Sequence, residues 1–305
     1  MDLPHRNKTM PSQIRICIRG GGDIGSGVAW RLHRCGFNVF IAEALCPLAV
    51  RRKVAFCEAV YEGSTRVEGV EAVLTKRPDA ISPLWSKGKI PVIVDPEFET
   101  RQVMAPEVVV DAILAKKNTG TAMYQAPLVI ALGPGFDAGK DAHVVVETNR
   151  GHNLGRIMTE GSAEPDTGIP STINGIAADR VLRAHADGTW LNRMAIGDIV
   201  KKGDIIGSVA GMHVRAPISG VLRGLIRGGV QVKRGVKTGD IDPRGRQDYC
   251  HTISDKALAV AGGVLEAILR FHACGHEAQD PKGPVQDHTR ELTHDHQAHV
   301  HTPNK

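Results

Sequence analysis

Apolar residues near the start of the chain change their period, which predicts a strand, a helix and a second strand. Isoleucine alternates with polar or small residues over 14–19, the period of a β-strand. After a run of glycines, apolar residues recur at helical spacing over 24–32, and Gly36 is placed to end that helix. A further apolar strand is predicted over 38–43 (NVFIAE). Two strands joined by a helix within about 30 residues form a βαβ unit, whose strands are parallel.

Further apolar runs predict the rest of a sheet. The predicted strands are 90–95 (IPVIVD), 108–113 (VVVDAI), 128–132 (LVIAL) and 144–147 (VVVE), and helices are predicted near 48–56 and 69–76. Strands of continuous apolar character are typical of a parallel sheet that is covered on both faces. The predicted fold class is therefore α/β, with an N-terminal Rossmann-like doubly wound parallel sheet.

An internal repeat begins near residue 181, where short strands and glycine turns replace the earlier pattern. With an offset of 32 residues, the glycines and several dipeptides of one copy match those of the next. The matches are Arg183-Ala184 with Arg215-Ala216, Gly188 with Gly220, Gly197 with Gly229, Val200-Lys201 with Val232-Lys233, Gly203 with Gly235, and Gly207 with Gly239. So short a repeat indicates one supersecondary unit used twice.

The second copy, VRAPISGVLRGLIRGGVQVKRGVKTGD, resembles the biotinyl/lipoyl type of fold, a small all-β barrel-sandwich hybrid made of two similar halves. The resemblance implies a modifiable lysine on the hairpin between the halves. Here that turn is Gly211-Met212-His213, without lysine. We therefore expect no biotin or lipoate, and a structural or docking role for the repeat.

Changes in composition divide the chain into six predicted segments. They are a disordered tail 1–13, a Rossmann-like nucleotide-binding domain 14–125, a second α/β segment 126–180, the repeat module 181–243, a loop and C-terminal helix 244–274 packing back on the α/β part, and a disordered histidine-rich tail 275–305. Ser254 is the predicted N-cap of a helix over 255–271. The histidine-rich segment is polar and lacks apolar periodicity, which favours disorder.

Composition narrows the classes of function. The hydrophobic fraction of 42% suffices for real cores, whereas 4% aromatic residues leave few rings for stacking nucleic-acid bases. A net charge of +5 suits anionic small molecules as well as nucleic acid. No apolar run approaches the roughly 20 residues of a membrane helix, and no signal peptide is recognisable. We expect a cytoplasmic protein with free thiols and no nucleic-acid or membrane partner; a homo-oligomer is left open.

The glycine run after the first predicted strand has the spacing G-x-G-x-x-G. Its residues are Gly20, Gly21, Gly22, Asp23, Ile24 and Gly25, and Glu43 ends the next strand. In a dinucleotide site such glycines permit a tight turn and close approach of a pyrophosphate, and the helix N-terminus supplies free N–H groups. Glu43 would bind a ribose diol and repel a 2′-phosphate, so NAD or another adenosine nucleotide is the expected cofactor. The alternative is a turn that only packs, with Glu43 as a solvated strand end.

A second group of polar residues surrounds the predicted strand 144–147. His143 and Glu147 are expected on one face of that strand, where they could transfer a proton. Arg150 is a natural anion ligand, and His152 follows it closely. These four residues are the candidate catalytic group. The alternative is a surface loop of solvated charges.

Histidines and a cysteine near and beyond the last predicted helix are candidate metal ligands. The candidates are His272, Cys274, His276, His294 and His296. Imidazole and thiolate bind zinc, nickel or copper. Histidine-rich tails without a physiological metal share this spacing, so both interpretations stay open.

Five segments carry a family resemblance. They are IRGGGDIGSGVAWRLHRCGF, IPVIVDPE, HVVVETNRGHNLGRI, VRAPISGVLRGLIRGG and CHTISDKALAVAGGVLEAIL, within 14–274. Together they resemble the YqeB-type family, named for selenium-dependent molybdenum hydroxylase systems and related to the XdhC-type xanthine dehydrogenase accessory proteins. The resemblance implies an accessory protein with a molybdenum pterin cofactor as cargo and a molybdenum hydroxylase apoenzyme as partner. Of the site residues, only the glycine turn with Glu43 is carried over.

Two functions of different classes follow. The first is an accessory or maturation protein for a selenium-dependent molybdenum hydroxylase, which binds a nucleotide or a nucleotide-containing cofactor. The second is an NAD-dependent oxidoreductase that acts on a small metabolite. A scaffold that docks a partner through the repeat is a weaker third. The sequence favours the first, because no set of residues for hydride transfer is recognisable.

Overall fold

A mixed β-sheet forms the larger part of the computed structural model, which describes residues 10–168, 174–176 and 178–273. Up to the start of the repeat the strands are β1 (Arg15–Arg19), β2 (Asn38–Glu43), β3 (Ser64–Val67), β4 (Val70–Thr75), β5 (Ile90–Val94), β6 (Val108–Asp111), β7 (Leu128–Leu132), β8 (Asp137–Ala138), β9 (Val144–Val146), β10 (Ile157–Met158) and β11 (Gly161–Ser162). Strands β8 and β11 pair with each other. The others form one sheet in the order β10-β9-β7-β6-β1-β2-β5-β4-β3.

The central strands are parallel, and an antiparallel strand closes each edge. Strands β1 and β2 pair in parallel with Ile16 opposite Val39, so the predicted βαβ unit is confirmed. At the edges, β3 runs antiparallel to β4 and β10 antiparallel to β9. The helices are α1 (Asp23–Arg34), α2 (Ala59–Glu62), α3 (Ile81–Trp85), α4 (Thr100–Met104) and α5 (Asp255–Ala273). No helix of the described ranges is long and apolar enough to cross a membrane.

The two faces of the sheet bury separate apolar clusters. On one face Ile16 and Ile18 of β1 pack with the apolar sides of α1 and α5. On the other face Cys17 packs with Phe40, and the indole of Trp85 donates a hydrogen bond to the carbonyl oxygen of Val39 at 2.7 Å. Successive residues of β1 therefore point to opposite cores, as the pleat of a strand requires.

The last helix follows its prediction, whereas two earlier helices do not exist. Helix α5 begins beside Ser254, whose hydroxyl accepts a hydrogen bond from the N–H of Ala257 at 3.2 Å, as expected of an N-cap. The helix predicted near 69–76 is wrong, because this stretch is β4. It pairs with β3 across a two-residue turn with positive φ at Glu68 and Gly69, a conformation typical of hairpins.

The helix predicted near 48–56 is also wrong. Only Arg52–Val54 form a short 3₁₀ turn within it. The carbonyl oxygen of Val50 accepts a hydrogen bond from the N–H of Leu225 at 2.7 Å, and the guanidinium of Arg52 donates to the carbonyl oxygen of Leu225. These hydrogen bonds connect the stretch 48–56 to the repeat. In a regular helix the backbone groups of the stretch would be bonded to one another instead.

The internal repeat is confirmed strand by strand. The first copy gives β12 (Val181–Arg183), β13 (Gly188–Asn192), β14 (Ile199–Val200) and β15 (Ile205–Val209), and the second gives β16 (Met212–Arg215), β17 (Gly220–Leu225), β18 (Gln231–Val232) and β19 (Lys237–Asp242). The copies exchange strands, because the two antiparallel sheets have the orders β12-β19-β17-β14 and β16-β15-β13-β18. Trp190 and Leu222 are fully buried between them.

The predicted fold class, a Rossmann-like doubly wound parallel sheet with a barrel-sandwich hybrid module, is wrong. The sheet is large and mixed, with antiparallel strands at both edges, whereas a purely parallel sheet was predicted. Its helices are unequal, since α2, α3 and α4 have four or five residues each. The two repeat sheets belong to the same compact unit as the large sheet.

Candidate functional site

The glycine turn links β1 to α1 and is held by short contacts. Gly20 has φ of +95°, a conformation that favours glycine. A Cβ on Gly25 would lie 2.1 Å from the carbonyl oxygen of Gly20, so this position admits no side chain. Gly22 has an ordinary φ of −68° and precedes α1, and a Cβ there would meet no atom within 4 Å. Gly22 is therefore the glycine that faces open space.

Glu43 clamps this turn from the end of β2. Its Oε2 accepts a hydrogen bond from the N–H of Gly21 at 2.6 Å, and its Oε1 accepts one from the N–H of Ala44 at 2.7 Å. The carbonyl oxygen of Gly21 accepts bonds from the hydroxyl of Ser26 and the N–H of Cys57. Burial raises the pKa of Glu43, although the two N–H donors act to lower it. The carboxylate is a buried structural group as well as part of the cavity wall.

The glycine turn opens into a cavity of about 350 Å³, here named the turn cavity. It lies at the carboxyl ends of β1, β2, β5 and β6, where ligands of open α/β sheets bind. Its wall includes Gly20, Gly22, Glu43, Asp95 and Ile113. The first N–H groups of a helix have no intrahelical acceptor. No side chain caps the N-terminus of α1 in their place.

A second cavity of about 370 Å³, here named the basic cavity, adjoins the first at Leu114, which lines both. The first turn of α1 forms part of its wall through Asp23 and Ile24. The first turn of α5 forms another part through Ser254 and Lys256. Its cationic lining residues are Lys116, Arg150, Arg180, Arg183, Arg223, Lys237 and Lys256, and its acidic ones are Asp23, Glu164 and Asp166.

Two buried carboxylates behind the basic cavity hold part of this cationic wall. Asp240 pairs with Arg180, with Arg223 at 2.6 Å and with Lys237 at 3.7 Å. Asp242 lies 3.5 Å from Arg223. Burial acts to raise the pKa of Asp240, but the three cations around it keep that pKa below its ordinary value. The two carboxylates therefore neutralise part of the charge of these three cations and hold them at the border of the cavity.

The candidate catalytic residues do not converge on one point. His143 precedes β9 and its ring accepts a hydrogen bond from the N–H of Val129 at 3.0 Å. Glu147 follows β9 and is 2% exposed, with its carboxylate bound by the N–H groups of Asn149 and Glu164. The structure thus places His143 and Glu147 at opposite ends of β9. Each side chain accepts hydrogen bonds from backbone N–H groups.

Arg150 and His152 have separate positions. Arg150 lines the basic cavity and binds the carboxylate of Asp255 through two hydrogen bonds of 2.5 and 2.6 Å. His152 is exposed. Arg150, the expected anion ligand, thus lines a cavity in which an anion could bind, whereas His152 lines neither cavity.

Of the metal-ligand candidates, the described ranges include His272 alone. Its Nε2 is buried without a hydrogen-bond partner, and burial lowers its pKa. Cys274, His276, His294 and His296 lie outside the described residues. Within the described ranges no group of three or more histidine, cysteine or acidic residues could hold a metal ion.

Sequence reasoning missed the basic cavity, although it singled out Arg150. The repeat contributes Arg183, Arg223 and Lys237, and α5 contributes Lys256. No local motif joins these residues, because they come from segments that are distant in sequence. The signal that could have helped was the clustering of arginine and lysine in the repeat, to which the sequence analysis gave only a structural or docking role.

Fold and site together define a mixed α/β protein with a two-part polar cleft at the carboxyl ends of its central strands. No protein-family model matches the chain. A relative is the Escherichia coli (strain K12) protein YqeB, which is 48% identical over 254 residues. This alignment covers 83% of the chain and 47% of YqeB, so the chain spans about half the length of that relative. The identity supports the resemblance to the YqeB-type family.

Three solved structures share weaker likeness with the chain. They are an aspartoacylase family protein from Mesorhizobium loti (10% identity, 76% of this chain and 86% of that one, TM-score 0.25), a succinylglutamate desuccinylase from Silicibacter sp. (14%, 75% and 84%, 0.22) and TcdA (CsdL) (12%, 85% and 88%, 0.31). The activities in these names belong to those proteins.

Proposed function

We propose that the chain binds a nucleotide or nucleotide-containing cofactor in the turn cavity and serves as an accessory protein in the maturation of a molybdenum hydroxylase. The single observation that carries the binding proposal is Gly22 at the uncapped N-terminus of α1, facing a cavity of about 350 Å³. A phosphate there would meet backbone N–H groups and the positive end of the helix dipole. The maturation role rests on the YqeB-type resemblance.

The position of Glu43 changes the proposed ribose contact. Each carboxylate oxygen already accepts one backbone N–H, and each keeps a second lone pair. A ribose hydroxyl would share the carboxylate with Gly21 and Ala44 rather than replace them. NAD or another adenosine nucleotide therefore remains the proposed ligand, bound to a carboxylate that is already fixed in position.

Calorimetric titration of the full chain with NAD and with ATP tests the binding proposal. Gly22→Asp should abolish binding and keep the fold, since its side chain enters open space and opposes a phosphate with a negative charge. Gly228→Asp is the matched control. It adds the same charge outside both cavities, and a Cβ there meets contacts of 3.5 Å or longer. Absence of binding by the wild-type chain, or undiminished binding by Gly22→Asp, contradicts the proposal.

The accessory role has a separate test. The proposed cargo is a molybdenum pterin cofactor, and the proposed partner is a selenium-dependent molybdenum hydroxylase related to those served by XdhC-type proteins. Deletion of the gene should lower the specific activity and cofactor content of that hydroxylase, and the wild-type chain should restore both. Unchanged cofactor content in the deletion strain contradicts the role even if a nucleotide binds.

A further inference from the structure

The lining of the basic cavity holds more cationic than acidic side chains, and the carboxylates of Asp240, Asp242 and Asp255 behind it pair with part of that charge. Its lining has seven lysines and arginines against three acidic residues. Lys116 is paired with Asp166 at 2.5 Å, and Arg150 with Asp255. Within the described ranges, however, Lys256 forms no ion pair, although its side chain is half-buried between these groups. Arg150 and Lys116 disfavour the charge of Lys256, and the carboxylates of Asp23 and Glu147 favour it without forming an ion pair with it. A bound anion would give this half-buried ammonium group a direct partner.

Two helices point their N-termini at the same cavity. Asp23 in the first turn of α1 and Lys256 in the first turn of α5 both line it, and these helices have 12 and 19 residues. At the N-terminus of α5 the N–H of Ala257 is already bound by Ser254, but the dipole of each helix still favours an anion near its first turn. Helix dipoles and lysines therefore act in the same direction at this point.

The lysines are perturbed in the manner that such a site causes. Burial, with a contribution from neighbouring Arg150, lowers the pKa of Lys256. Burial also lowers the pKa of Lys237, and Arg180 and Arg223 add to that effect against the opposing influence of Asp240. Perturbed groups that share a cleft mark a candidate functional site.

We propose that the basic cavity is a separate binding site for the phosphate groups of a small phosphorylated molecule, with Lys237 and Lys256 as its central ligands. Guanidinium groups bind phosphate through paired N–H donors, and ammonium groups act as point charges. The volume of about 370 Å³ exceeds that of one phosphate, so the site suits a diphosphate or a phosphate ester of a small metabolite.

This site does not depend on the proposed nucleotide site. The two cavities share Leu114, but their cationic and glycine walls are distinct. The repeat provides one wall of the basic cavity through Arg183, Arg223 and Lys237. The repeat thus has a ligand-binding role in this proposal rather than only a structural one.

Calorimetric titration of the full chain with inorganic pyrophosphate tests the proposal. Lys256→Met and Lys237→Met should each weaken binding about tenfold or more, since a hydrogen bond to a charged group contributes roughly that much. Lys201→Met, which removes the same charge from an exposed position outside the cavity, should leave the affinity within about twofold of wild type. Each variant keeps an unbranched side chain, and thermal denaturation checks that it folds.

Gly22→Asp separates this proposal from the nucleotide site. Pyrophosphate should still bind this variant, with a smaller loss of affinity than in the two lysine variants, even where NAD and ATP do not bind, because the new charge lies beside α1 and not among the lysines. Pyrophosphate affinity that survives in both folded lysine variants overturns the proposal. So does an affinity that only Gly22→Asp destroys, because the anion would then lie at the glycine turn.

Discussion

The carboxylate of Glu43 accepts a 2.6 Å hydrogen bond from the backbone N–H of Gly21 and so fixes the turn between β1 and α1 from the neighbouring strand. A carboxylate that a sequence motif assigns to a ligand is here also part of the frame that shapes the turn. The contact has measurable consequences for stability.

Glu43→Ala should lower the free energy of unfolding by about 1–3 kcal/mol, because it leaves the N–H groups of Gly21 and Ala44 buried without acceptors. Glu43→Gln should cost less, since its amide oxygen can accept one of the two bonds. Urea denaturation measures both. Because the pKa of Glu43 is raised above its ordinary 4.5, the native state keeps a proton that the unfolded chain has lost, and wild-type stability falls as the pH rises through that window. Glu43→Gln should remove this slope; an equal slope in the variant would show that another group causes it.

Gly25→Ala should destabilise the fold by about 3 kcal/mol, because its Cβ would lie 2.1 Å from the carbonyl oxygen of Gly20. Gly22→Ala is the paired variant in the same turn, and its Cβ meets no atom within 4 Å. We expect its melting temperature to stay near that of wild type. Thermal denaturation compares the two, and similar melting temperatures would contradict the packing of this turn.

Two adjacent glycines of α5 should respond to alanine in opposite ways. A Cβ on Gly263 would lie 2.2 Å from the carbonyl oxygen of Gly155, whereas one on Gly262 meets its nearest atom, in Arg31, at 3.6 Å. Gly262→Ala should therefore stabilise the protein by about 0.5–1 kcal/mol through helix propensity. Gly263→Ala should destabilise it by about 1–3 kcal/mol. Urea denaturation of both variants checks the sign of each change.

The pair of Arg150 and Asp255 should contribute to stability only above acidic pH. Hydrogen bonding to Arg150 lowers the pKa of Asp255 to about 2, from an ordinary value of 3.8. The contribution is complete above the ordinary value and is lost as the pH falls towards 2. The carboxylate is 73% exposed, so the effect is about 0.2–1 kcal/mol. Asp255→Asn should lose that amount at pH 7 and clearly less at pH 2, where about half of the carboxylate is already protonated, as measured by urea denaturation at both values.

Lys256→Met should keep or raise the stability of the ligand-free chain, by up to about 1 kcal/mol, although it weakens anion binding. The pKa of Lys256 lies below its ordinary 10.5, so the unfolded chain binds more protons between the two values. Wild-type stability therefore rises with pH in that window, and the variant should lack that rise. A marked loss of stability at pH 7 would show that the lysine is a structural group instead.

Local sequence patterns correctly predicted the elements whose period and ends are marked by residues close together in the chain. The βαβ unit and α5 have a period, a glycine stop or an N-cap within a few residues, and both are confirmed. The hairpin of β3 and β4 was missed, because residues 69–76 were assigned to a helix despite the turn at Glu68 and Gly69. The antiparallel edge strands were missed too, since nothing local in two-residue β10 shows which way it pairs.

The candidate site, too, could be predicted only in part from the sequence. The glycine turn stands in one contiguous motif, and the structure places it at a cavity. The clamp between Gly21 and Glu43 depends on strand register, which brings together residues that the motif assigned to separate roles. The basic cavity needs α5, the repeat and the loop after β9 at once, so no sequence window contains it.

The packing of α5 on α1 also sets the order in which the chain can fold. A Cβ on Gly27 of α1 would come within 2.8 Å of the Ala257 side chain in α5, so the two helices are in close contact at this glycine. During synthesis, α1 leaves the ribosome long before α5, so the part of its surface that packs on α5 stays uncovered until the repeat has also been made. Nucleation by distant contacts is slow, and exposed apolar surface invites aggregation meanwhile. The first βαβ unit is thus among the last parts of this protein to complete its packing. Until then the exposed apolar surface of the nascent chain would need protection from aggregation.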